Sequence, residues 1–162
     1  MKKAFTRRRY RHPGQFLGDQ LYLVRHARTC WRLSHGRGIA PAFRERLMLA
    51  VTQVNGCRYC SFAHSRRALK EGLSQREIEA LLQGSLDDVP EAERTAVLYA
   101  QHWAETEGHP DPQAHERLIG EYGAEMAAYI TAALRTIRMG NLTGNTLDWL
   151  LWRLSFGRLG AA

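Results

Sequence analysis

Residues 43–65 read FRERLMLAVTQVNGCRYCSFAHS. Before Gly56, the apolar residues Phe43, Leu47, Ala50, Val51 and Val54 recur at helical spacing. After it a second helical segment runs from the cysteines to about Glu71 and ends at Gly72. If that helix begins at or near Cys57, Cys60 lies about 60° from Cys57 around the axis and His64 only about 20° from it. All three side chains then share one face. Cys60 and His64 are four apart, so they meet.

The same periodicity continues outward in both directions. Leu17, Leu21, Val24 and Trp31 form a stripe upstream. Downstream, Ser74 and Glu77 predict a capping box for a short helix closed by Gly84. Pro90 opens the next, with Ala96, Tyr99, Ala100 and Trp103 along one face. Asp111 and Pro112 predict another helix start. Met126, Ile130, Ala133, Leu134 and Ile137 mark a long helix ending near Gly140, and Asn145 with Asp148 predicts the cap of a last one. No stretch shows sustained apolar–polar alternation bounded by turns. The expectation is an all-α domain of about eight helices over residues 13–162.

Composition narrows the function classes. At 162 residues, the chain is long enough for one self-sufficient core. No run of about 18 apolar residues occurs, so no membrane span is expected. Asp19 and Gln20 interrupt the apolar residues after the basic start, which argues against a secretory signal. The expected compartment is the cytoplasm. Three cysteines are too few for a disulfide scaffold, and an odd number leaves one over. The net charge is +7, but residues 1–12 hold six Lys or Arg and no acid, which leaves only +1 for the rest. The excess is a tail rather than a face, and it reads as a solvated end instead of a nucleic-acid surface.

Three readings of the cysteine stretch compete. Cysteines in the first turn of a helix meet unpaired N–H groups and the positive end of the dipole, and both lower a thiol pKa. That is the signature of redox-active thiols. Zinc needs a fourth ligand, which Cys30, His35 or Glu45 could supply; no second CxxC or HxxxH pair exists. A zinc-stapled or redox-sensing binding module without turnover is the alternative function. Inert packing is the third reading, and a structural disulfide does not suit a reducing compartment. Glu45 adds to the case. Its helix is apolar nearly all round, which predicts a buried carboxylate with a raised pKa suited to proton transfer. The bland reading is a surface glutamate paired with Arg44 or Arg46.

Glu45, eleven residues, Cys57-Arg-Tyr59-Cys60, three residues, His64: this pattern resembles the alkylhydroperoxidase D branch of the carboxymuconolactone decarboxylase-like family. The close resemblance covers about Arg44 to Leu82, and the closing GNLTGNTLDWLL is compatible with it. It implies an all-helical, oligomeric protein (a trimer or hexamer) with thiol peroxidase activity. The second cysteine, Cys60, would attack the hydroperoxide and Cys57 would resolve it. Glu45 and His64 would relay protons. A thiol, a dihydrolipoamide-type donor or a partner redox protein would return the electrons. The reading calls for no cofactor. Tyr59 departs from the best-known member, which has histidine there. A phenol cannot shuttle protons as imidazole does, though it can donate a hydrogen bond.

The chemistry says which group matters most. Lowering a thiol pKa from about 8.5 to about 6.5 raises its thiolate fraction about 25-fold at neutral pH, yet costs about 8-fold in nucleophilicity, a net gain of about 3-fold. General acid catalysis is worth ~10²–10⁴. A proton donor at the leaving oxygen is therefore the larger need. Of the two cysteines, Cys57 is expected to be the more exposed, and Cys60 the one served by His64. Cys30 shares a stripe with Leu23 and Ala27 and reads as a core cysteine.

Overall fold

The computed structural model describes residues 4–160. Seven helices and no strand occur among them: α1 (Pro13–Arg25), α2 (Ala27–Ser34), α3 (Pro41–Asn55), α4 (Arg58–Lys70), α5 (Gln75–Leu82), α6 (Glu91–Glu105) and α7 (Pro112–Leu154). The all-α expectation holds. α3 is the central element and packs against α4, α5, α6 and α7. Every residue from Leu47 to Thr52 is buried, as a helix apolar all round requires. Leu81, Val97, Trp103, Ile130 and Leu134 close the core around it.

Local signals explain the boundaries nearest the site. Pro41 starts α3, and Gly56 ends it in the left-handed region at φ 69°. A residue with a Cβ would be strained there, and it would also meet the Arg7 side chain at 3.2 Å. Cys57 then caps α4: its sulfur accepts the N–H of Cys60. Ser74 caps α5 through the N–H of Glu77, but the Glu77 carboxylate bonds Arg46 at 2.5 Å, so only half of the expected capping box forms.

Two expectations about helices change. The last three predicted helices form one element, α7, with a break at Gly123 (φ 78°, ψ 159°). Gly140 does not end it, and the backbone stays helical through it. Asn145 and Asp148 are not caps; both are buried and bonded to other elements. The upstream stripe divides between α1 and α2, and it does not face the core: Leu17 is 63% exposed, Val24 72% and Trp31 51%. α1 instead buries Asp19, which accepts from Tyr10 and Arg138.

The basic start also differs from a solvated end. Tyr10 is buried, Arg7 donates to Asp148 at 2.6 Å, and Arg8 donates to the Ala104 carbonyl. Residues 1–3 of that segment lie outside the described residues. Among the described residues, no helix is long and apolar enough to cross a membrane.

Candidate active site

α3 delivers Glu45 and α4 delivers Cys60 and His64 to one place. Glu45 is fully buried. One carboxylate oxygen accepts from His64 Nδ1 at 2.6 Å. The other accepts from Arg44 Nη2 at 3.1 Å and Nε at 3.3 Å. Burial pushes the carboxyl pKa up, but the His64 bond and charge, with Arg44, outweigh it and hold Glu45 below its ordinary value. The expected burial is present; the expected rise in pKa is reversed. Burial and pairing with Arg44, set out as rivals by the sequence, occur together. An ionised Glu45 is an acceptor, so Nδ1 of His64 carries the proton and Nε2 is the nitrogen left for chemistry.

The two cysteines are joined as a disulfide and differ sharply in surroundings. Cys57 is fully buried. Its sulfur lies against α7, where a Cβ on Gly144 would come within 3.3 Å of it. Cys60 is half-buried and opens onto a cavity of about 870 Å³ that Glu45 and His64 also line. Leu23, Leu33, Met48 and Ile137 give that cavity its apolar wall. The expectation that Cys57 is the more exposed thiol is therefore corrected. Being first in the helix places a residue at the turn, and here the turn is covered by α7 and Arg7.

Tyr59 is half exposed, and its hydroxyl donates to Asp148 Oδ1 at 3.0 Å. Arg58 Nη2 donates to the same oxygen at 2.9 Å and to the Tyr59 hydroxyl at 2.9 Å. The sequence analysis missed Asp148 as part of this site. It also missed a polar ladder between α3 and α7. Asn55 donates to Asn141 at 3.1 Å, Asn141 donates to Thr52 at 3.1 Å, and Asn145 donates to the Asn55 carbonyl at 2.8 Å. The available signal was spacing: Asn141, Asn145 and Asp148 stand at i, i+4 and i+7, a polar stripe in an apolar helix.

Cys30 stands free on the wall of the same cavity. Burial pushes its thiol pKa up, which makes it a poor thiolate beside a cysteine pair at a helix start. Among the described residues, no three His, Cys, Asp or Glu side chains converge as a metal-binding group. His35 bonds the Trp31 carbonyl at the end of α2.

The model of the carboxymuconolactone decarboxylase family matches residues 22–102, half of the chain, and the protein belongs to that family. The family includes decarboxylases and alkylhydroperoxidase D-type peroxidases. Glu45, the two cysteines and His64 fall inside the matched residues, whereas Arg7 and all of α7 fall outside. A comparison with curated proteins gives no match, and a comparison with solved structures gives none.

Proposed function

We propose that this protein is a thiol peroxidase that reduces organic hydroperoxides and cycles through the Cys57–Cys60 disulfide. The observation that supports it most is the shared cavity: the one disulfide sulfur with an opening, Cys60, faces the same space as the His64–Glu45 pair. The Cys60 thiol gives its proton to Nε2 of His64, and the thiolate attacks the distal peroxide oxygen. An S–O bond forms, the O–O bond breaks, and the alkoxide takes a proton from His64 and leaves as an alcohol. The Cys57 thiol then attacks the sulfenic sulfur of Cys60. The S–S bond forms, hydroxide departs with a proton as water, and a dithiol donor later reduces the disulfide. Glu45 orients His64 and stabilises its charged form, the division of labour of a catalytic triad.

Tyr59 holds the dipeptide between the cysteines instead of shuttling protons, since its hydroxyl proton is given to Asp148. The apolar wall suits a hydroperoxide with a hydrocarbon body. The exposed apolar face of α1 and α2, with Leu150, Leu151 and Leu154 at the end of α7, supports assembly into a homo-oligomer, trimer or hexamer. A reducing, cytoplasmic setting suits a cycle that a thiol must reopen.

The test is peroxide consumption by the purified protein with dithiothreitol or dihydrolipoamide. Steady consumption that requires both protein and dithiol is expected. Consumption no faster than in a Cys57→Ser/Cys60→Ser control contradicts the proposal.

A further inference from the structure

Asp148 lies one helical turn beyond Gly144, the residue against which Cys57 packs. Its side chain is 1% exposed. A buried carboxylate is costly unless several donors reach it. Three do, and their origin is informative. Arg58 and Tyr59 are the two residues between the cysteines. Arg7 comes from the far end of the chain, binds the other oxygen at 2.6 Å, and is itself only 14% exposed. The stem of Arg7 also lies over Gly56, since a Cβ there would sit 3.2 Å from Arg7 Cγ. Each residue from 56 to 59 is thus held from outside its own helix: Gly56 under Arg7, Cys57 on Gly144, Arg58 and Tyr59 on Asp148.

Arg58 and Tyr59 are only partly buried, and apart from the Tyr59 ring lying near Gly144 their tie to α7 is Asp148. The Arg58 side chain is 40% exposed and Tyr59 52% exposed. Without Asp148 they would lose the hydrogen bonds that tie them to α7, and the turn carrying Cys57 would lose two of its anchors. Neither Arg7 nor Asp148 lines the cavity that Cys60 opens onto. They do not line the space a peroxide would fill, so their effect on the thiols is exerted by the contacts to residues 56–59 and by charge.

We propose that Asp148 and Arg7 are positioning residues of the active site, which hold the Arg58–Tyr59 dipeptide and thereby set how readily Cys57 and Cys60 close into a disulfide. The proposal rests on the pair cycling between dithiol and disulfide, but its test uses no peroxide, so loss of turnover and loss of positioning read out separately. The two thiols act on each other at an effective concentration fixed by the backbone between them. Removing the clamp lowers that concentration. Removing a buried negative charge near the helix start also favours thiolate over disulfide. Both effects of Asp148→Asn act toward the dithiol. For Arg7→Met they oppose, because the lost cation disfavours thiolate, so its shift is smaller.

The experiment equilibrates the full chain with a graded ratio of reduced to oxidised dithiothreitol, well below the unfolding temperature, and quantifies free thiols after acid quench. Asp148→Asn is expected to lower the disulfide equilibrium constant about tenfold, and Tyr59→Phe about threefold. The double variant should shift no further than Asp148→Asn alone, because both act through one contact. Tyr59→Phe removes a single hydroxyl from a half-exposed ring, so it provides a folded protein whatever Asp148→Asn does. Equilibrium constants within twofold of wild type in Tyr59→Phe and Asp148→Asn, with only a lowered melting temperature, would overturn the proposal and leave Asp148 a structural ion pair. A simple sum of the two shifts in the double variant would overturn the shared contact, and a constant raised above wild type in Arg7→Met, the sign of the lost charge acting alone, would remove Arg7 from it.

Discussion

The two sulfurs of one disulfide sit in opposite surroundings. Cys60 opens onto an apolar cavity with an acid–base pair beside it. Cys57 is sealed between a glycine of α7 and a turn covered by Arg7. In the proposed function the first side serves reaction and the second geometry. Helix position alone would favour Cys57 as the nucleophile, since it caps α4 and accepts an N–H. Access reverses that preference: a peroxide can reach only the sulfur that has an opening.

The largest expected effect tests the reactive side. His64→Asn and Glu45→Gln should each lower kcat/KM for an organic hydroperoxide by about 10²–10³. The alkylation rate of reduced Cys60 should change far less, because that reaction needs no proton at a leaving oxygen. Equal losses in both assays would mean that His64 and Glu45 act on the thiol alone. Glu45 carries a second signature. Its folded pKa lies below its ordinary value, so its stabilisation is complete above about pH 4.5 and is lost as pH falls through that lowered folded value. Urea midpoints measured from pH 6 to pH 3 should fall less steeply in Glu45→Gln than in wild type.

The site was legible where its chemistry is local. The spacing of Cys57, Cys60 and His64 in one helix, and the burial of Glu45 in a helix apolar on all sides, follow from periodicity. The direction of the Glu45 pKa was not legible, because it depends on His64 and Arg44 reaching it across the fold. Nor was the burial of Cys57, which is set by Gly144 of α7, 87 residues further along the chain. The helices of α7 were divided too finely for a physical reason. Gly140 and the Asn145–Asp148 pair have the residue types of a stop and a cap, but tertiary partners satisfy those polar side chains and the helix runs on. The apolar stripe over α1 and α2 was legible in its spacing, but spacing alone does not say that it faces outward.

The next effects concern the geometric side. Arg7→Met should destabilise the protein by about 1–3 kcal/mol in urea denaturation, since it strips a charged hydrogen bond from a buried carboxylate. No loss would return the first residues to the role of a solvated end. Smaller still is a contrast between two glycines of α7. Gly140→Ala meets nothing and should gain up to about 1 kcal/mol from helix propensity. Gly144→Ala gains the same propensity but presses on Cys57, 3.3 Å away, and should show no net gain. Equal stabilisation by both would mean that α7 does not constrain Cys57. The smallest effect is at Cys30, which shares the cavity but is a poor thiolate. Cys30→Ala should keep turnover within about twofold, by the same peroxidase assay.

Which sulfur attacks is the central claim, and one measurement addresses it directly. Reduced Cys57→Ser and Cys60→Ser proteins each receive one equivalent of an organic hydroperoxide with dimedone present, and the adduct is located by mass spectrometry. Cys57→Ser is expected to consume the peroxide once and to carry the adduct on Cys60, while Cys60→Ser consumes almost none. An adduct on Cys57 in the Cys60→Ser protein, formed at a comparable rate, would contradict the account: the buried sulfur would be the nucleophile, and the cavity with its His64–Glu45 pair would serve some other step.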